Sequence, residues 1–240
     1  MKKEWFIFII TLAFILGDAR ADVYLLGDSW LADTYNPRAV EEIGYYTGET
    51  IHPLAVNSMA SSTLANDIYY YGIQNGDVAI IDIGLPDFFN GINANVVQSN
   101  LIKVVDYLAS INVKILLSCP ANSNSNADLN DKINRGVLLP SSVLCQSIKV
   151  RQPGHVRIID LQSQIMAMRD FNYYVNDPVH LNIYGYTVFN IGLSNAIKNI
   201  QGRCNILSNQ DLRNTLNSFT QLSHEQICTG LGIVENIWIQ

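Results

Sequence analysis

Ser29 sits in Gly27-Asp28-Ser29-Trp30, directly after the short apolar run Val23-Tyr24-Leu25-Leu26. A serine on the turn that leaves a buried strand can present its hydroxyl at the edge of a sheet. That hydroxyl is a poor nucleophile until a base takes its proton. Histidine is the usual base, because its pKa lies near working pH, and a carboxylate orients the imidazole and stabilises its charged form. The chain has four histidines, His52, His155, His180 and His224. His180 has a carboxylate three residues upstream in a compact loop that contains a proline, Asp177-Pro178-Val179-His180. Pro178 stiffens that link, so Asp177 and His180 can meet with little loss of chain entropy. Ser29, His180 and Asp177 are therefore the predicted nucleophile, base and orienting acid. Asp28 reads as a hydrogen-bonding residue of the turn, and His52, His155 and His224 as surface or packing residues.

These residues need a scaffold, and the hydropathy pattern specifies one. Mainly apolar runs at Val23–Leu26, Asp77–Ile83, Val113–Ser118 and Val156–Leu161, with a poorer one at Ile51–Val56, read as strands. Helical spacing marks Pro37–Gly48, Ser62–Tyr71, Val96–Ile111 and Tyr184–Ile197 between and after them. Strands that are apolar on both faces and alternate with helices imply a mainly parallel sheet covered on each side. In such sheets ligands sit beyond the carboxyl ends of the strands. Ser29, Gly84-Leu85-Pro86-Asp87 and Cys119-Pro120 all fall there. The polar, Asn-rich stretch Ala121–Asp131 reads as a loop or insertion.

Residues 1–21 read as a cleavable export signal. Lys2 and Lys3 precede an apolar core from Phe6 to Leu16, and Ala19-Arg20-Ala21 is a small-x-small cleavage site. The core is short for a membrane span and no second long apolar run follows, so no integral membrane segment is expected after cleavage. The expected location is the periplasm or the medium. Cleavage removes three positive and two negative residues, taking the net charge from −6 to −7. That balance argues against nucleic acid, whose binding relies on phosphate neutralisation, and against docking on anionic lipid.

All four cysteines, Cys119, Cys145, Cys204 and Cys228, follow the cut. Their even number in an exported chain permits two disulfides. Of three connectivities the sequence-local one, Cys119–Cys145 with Cys204–Cys228, is favoured. No Cys-x-x-Cys spacing points to zinc or redox chemistry. Asp82 and Asp87 at a strand end have no clustered partners in sequence to suggest a metal.

Gly27-Asp28-Ser29-Trp30 near the mature N-terminus, with Asp177-x-x-His180 and the following Leu181-Asn182-Ile183-Tyr184-Gly185-Tyr186, resembles the GDSL or SGNH hydrolase family. The resemblance covers about Val23 to Ile200. It implies a flavodoxin-like three-layer α/β/α sandwich and a cofactor-free hydrolysis of esters or thioesters by Ser29, His180 and Asp177. Expected substrates are small-molecule, lipid or glycan esters; no feature assigns a protein partner. Two family blocks depart from the pattern. The glycine whose backbone N–H helps bind the oxyanion is matched by Ser62 in Val56–Thr63. Gly-x-Asn-Asp becomes Gly84-Leu85-Pro86-Asp87, which removes a side-chain donor, and Asn90 is the nearby substitute. These departures keep two alternatives open: a catalytically weakened binding or accessory protein, and an acyltransferase using the same residues. The expected organisation is a signal at 1–21, the hydrolase-like domain at 22–200 and a packed C-terminal appendage at 201–240.

Overall fold

A computed structural model describes residues 21–118, 143–159, 161 and 180–203. Five strands form one sheet: β1 (Val23–Gly27), β2 (Ile51–Pro53), β3 (Val78–Asp82), β4 (Lys114–Ser118) and β5 (Val156–Ile159). Their order is β2-β1-β3-β4-β5, and every pairing is parallel. This is the doubly wound, flavodoxin-like order. Around the sheet lie α1 (Ala39–Thr47), α2 (Ser61–Asp67), α3 (Leu85–Phe89), α4 (Ala94–Ser110), α5 (Val143–Arg151) and α6 (Ile183–Ile200).

Apart from the edge strand β2, which gives only Ile51 to one core, each strand feeds two cores, as the period-2 geometry of a strand requires. Val23 and Leu25 of β1 join Val78 and Ile80 of β3 on the face covered by Ile43 and Tyr46 of α1 and by Phe189, Leu193 and Ile197 of α6. Tyr24, Leu26, Ala79 and Ile81 point the other way, against Leu64 of α2, Leu101, Val105 and Leu108 of α4 and Ile148 of α5. That is the three-layer sandwich expected from runs that are apolar on both faces.

The observed elements differ from the predicted ones in ways the local chemistry explains. α1 starts two residues after Pro37 and ends at Gly48, whose φ of 77° closes the helix in the left-handed region. β2 stops at Pro53 instead of Val56. The chain nevertheless stays beside β1, since Leu54 N–H donates to Leu25 O and Val56 N–H to Gly27 O. The Ser62–Tyr71 helix is observed as α2 followed by a 3₁₀ turn at Ile68–Tyr70. α3 and α5 were not predicted. No helix among the described residues is long and apolar enough to cross a membrane. The proposed loop at Ala121–Asp131 and all of the appendage beyond Arg203 lie outside the described residues. So do Cys119, Cys204 and Cys228; Cys145 is buried against α4 and β5.

Candidate active site

The strand order reverses between β1 and β3, and a crevice must open there beyond their carboxyl ends. Ser29 lies at that point, two residues past the end of β1. The approach of the two strands is unusually close. Gly27 pairs with Asp82, and a Cβ on Gly27 would lie 2.0 Å from Asp82 O. Asp28 N–H donates to the same carbonyl at 2.9 Å. The chain then folds into a tight turn, with Leu31 N–H and Ala32 N–H both donating to Asp28 O. Ser29 is held at the crest of this turn, 7 % exposed.

His180 arrives from the far end of the sequence. It precedes α6, whose start is fixed by Asn182: the side-chain Oδ1 accepts from Tyr184 N–H and Gly185 N–H, both at 3.0 Å. The cap places His180 with its Nε2 2.8 Å from Ser29 Oγ, across 151 residues of sequence. With Nε2 unprotonated, the hydroxyl donates to the ring. One face of the imidazole is covered by Tyr35, whose ring is parallel to it with centroids 3.6 Å apart. Thus the structure brings Ser29 and His180 together; Asp177 lies outside the described residues. The other described histidines are engaged elsewhere. His52 pairs with Asp22 at 2.9 Å and stacks on Tyr24, and His155 Nδ1 faces Val113 O. His224 lies outside the described residues.

Ser62 is exposed at the second position of α2. By position its N–H has no partner within the helix. The buried residue of this segment is its neighbour Ser61, whose N–H and Oγ donate to the two carboxylate oxygens of Asp87 at 2.8 and 2.9 Å. Asn100 Nδ2 completes this cluster by donating to Ser61 Oγ. Asp87, the last residue of Gly84-Leu85-Pro86-Asp87, therefore ties α3 to the start of α2. Pro86 serves the first turn of α3, where a missing N–H costs nothing. Gly84 turns into that helix at φ 122°, a conformation that favours glycine. Asn90 is exposed at the opposite end of α3, and its N–H closes the last turn on Pro86 O. Among the described residues its side chain makes no hydrogen bond.

Asp82 and Asp87 lie near the carboxyl of Asp28, the residue before Ser29, and all three are at most 2 % exposed. Burial pushes the Asp28 carboxyl well above its ordinary value, and the charges of Asp82 and, more weakly, Asp87 add to that. The backbone N–H groups of Trp30 and Ser29 oppose the shift. Among the described residues no group of three or more His, Cys, Asp or Glu is arranged to hold a metal ion.

Sequence reasoning missed the residues that brace the site. Asn36 and Asn190 are fully buried and exchange side-chain hydrogen bonds at 2.8 and 3.0 Å. Asn190 Nδ2 also donates to Glu42 Oε2. The available signal was Asn190 itself, a lone amide in Val188-Phe189-Asn190-Ile191, where helical spacing demands core.

No family model and no curated protein matches the sequence. Solved structures do match in fold. The psychrotrophic esterase EstA from Pseudoalteromonas sp., solved in a form inhibited by monoethylphosphonate, aligns with a TM-score of 0.56 at 13% identity, over 75% of this chain and 98% of that one. A member of the lipolytic protein G-D-S-L family from Veillonella parvula aligns at 0.57 and 15% identity, over 71% and 95%. The acetylxylan esterase Axe2 from Geobacillus stearothermophilus aligns at 0.57 and 15% identity, over 76% and 94%. The chain has the α/β fold that these G-D-S-L and esterase structures share.

Proposed function

We propose that this chain is an exported serine hydrolase of the SGNH type that cleaves carboxylic esters through Ser29, His180 and Asp177. The observation that carries the reading is the 2.8 Å contact between Ser29 Oγ and His180 Nε2 at the switch point of the sheet. Esterase activity in proteins of the same fold supports it. Ser29 Oγ attacks the ester carbonyl while His180 Nε2 takes its proton. Asp177, three residues upstream, is the proposed partner of the charged imidazole. The backbone N–H groups of Ser29 and Ser62 are the proposed donors to the oxyanion, with the Asn90 side chain as a further candidate. Collapse expels the alcohol, protonated by His180. Water, activated by the same base, then releases the acid and restores Ser29. The chemistry calls for no cofactor or metal ion.

Export is proposed from the composition of residues 1–21. Asp22 N–H lies 3.1 Å from Asp77 Oδ1. A cut after Ala21 would turn that amide into an ammonium facing a carboxylate. Acyl transfer differs only in the acceptor, an alcohol in place of water.

The test is hydrolysis of p-nitrophenyl acetate and butyrate by the purified chain against Ser29→Ala, with fluorophosphonate labelling of Ser29. Ser29-dependent turnover supports the reading. Background rates in both proteins together with an unlabelled Ser29 refute it and favour a binding role.

A further inference from the structure

Tyr35 belongs to no motif, yet its ring lies flat on the imidazole of His180, with centroids 3.6 Å apart and planes 6° from parallel. It stands six residues after Ser29, on the loop that leaves β1. That loop is fastened at several points. Tyr35 N–H and Asn36 N–H both donate to Ala32 O, at 3.1 and 2.9 Å. Asn36 Nδ2 donates to Trp30 O and to Asn190 Oδ1 on α6, and Asn190 Nδ2 returns a bond to Asn36 Oδ1. Trp30 meets Tyr186 and Phe189 of α6 edge to face. The segment that carries the nucleophile is thereby clamped to the helix that starts three residues after His180.

We infer that Tyr35 is a positioning residue for the Ser29–His180 pair, holding the imidazole by its face while the buried Asn36–Asn190 pair fixes the loop that carries Tyr35 to α6. The inference rests on the hydrolase reading. A base on a loop must keep Nε2 directed at Ser29 Oγ, and a flat ring against its face resists tilting. The contact also responds to charge. An aromatic face attracts a cation, so the stack strengthens when His180 takes the Ser29 proton. An interaction that grows towards the transition state acts on kcat and not on KM. Phenylalanine keeps the aromatic face, whereas leucine keeps apolar bulk without it.

The experiment compares Tyr35→Leu and Tyr35→Phe with the unsubstituted chain and Ser29→Ala, by ester hydrolysis, fluorophosphonate labelling rate and thermal melting. Tyr35→Leu should lower kcat and the labelling rate about ten- to a hundredfold, the scale of a misplaced catalytic group, with KM changed less than about twofold. Tyr35→Phe should restore most of that loss. A cooperatively melting Tyr35→Leu with undiminished kcat overturns the inference and leaves the hydrolase reading standing. If Tyr35→Leu does not fold, NMR of the unsubstituted protein decides: stacking should move the His180 ring protons upfield of those of His155, and coincident positions overturn it. A wild type that neither hydrolyses nor labels defeats the hydrolase reading first, and this inference with it.

Discussion

Substituting Gly27→Ala tests whether the close approach of β1 and β3 builds the site. The added methyl would start 2.0 Å from Asp82 O and 2.8 Å from Asp82 C. Both obstacles are backbone, so no side chain can swing aside. Reaching even a 3.0 Å contact requires the strands to part by about 1 Å. That movement stretches the 2.9 Å bond from Asp28 N–H to Asp82 O past hydrogen-bonding range. Overpacking of this kind costs about 1–3 kcal/mol, and the lost hydrogen bond about 1 kcal/mol. The expected total, about 3 kcal/mol, lowers Tm by about 6–12 °C in a chain of this size. Ser29 rides on the displaced segment, and a misplacement of about 1 Å can cost about a hundredfold in rate. Thermal melting by circular dichroism and the fluorophosphonate labelling rate measure the two effects. A variant that melts within about 2 °C of wild type and labels at the wild-type rate would refute the reasoning, because β1 and β3 would then have yielded without cost.

Gly192→Ala provides the contrast: its Cβ would meet Leu161 Cδ2 at 2.5 Å, the far end of a flexible side chain. Melting should show a smaller loss than in Gly27→Ala, about 1 kcal/mol. Asn190→Leu removes the partner of Asn36 Oδ1 and a donor to Glu42 Oε2, so urea denaturation should show a loss of about 2–4 kcal/mol for the two orphaned atoms. Asn36→Leu/Asn190→Leu should cost less than the sum of the single changes, and additive costs would deny the coupling. For Asp28 the sign follows from its raised pKa. The folded state holds the proton more tightly than the unfolded chain, so this group's stabilising contribution is full below its ordinary value of 3.8 and is lost as pH rises through the folded value. Asp28→Asn should therefore gain stability relative to wild type as pH rises from about 4 to about 8. A difference in Tm that stays flat across that range would contradict the assignment.

What could be read from sequence is what a short stretch of chain decides alone. β1 and β3 were legible because both faces are apolar, and Ser29 and His180 because their neighbours are motif residues. α3 was not: Leu85–Phe89 is five residues, too short for helical periodicity, and its start depends on Gly84 and Pro86. α5 was missed because Cys145 and Ile148 give only a thin apolar face. Register is the harder case. Ser61 and Ser62 are adjacent and chemically identical, yet Ser61 is buried on Asp87 and Ser62 is exposed. A helix that starts at Ser61 points successive side chains about 100° apart, so one position separates an anchor from a solvated hydroxyl. Nothing local to either serine reveals which is which; Asp87, 26 residues away, makes the choice. The same holds for Tyr35, whose ring meets His180 only because Asn36 and Asn190 close the loop onto α6. The departure at Pro86 gains a different meaning from this geometry. Where the resemblance leads one to expect asparagine the segment has Pro86, but it carries Asp87, and that aspartate fixes the first turn of the helix bearing the Ser62 N–H. The proposed oxyanion donor is therefore backbone held from below by Asp87, a support that Asp87→Ala would remove.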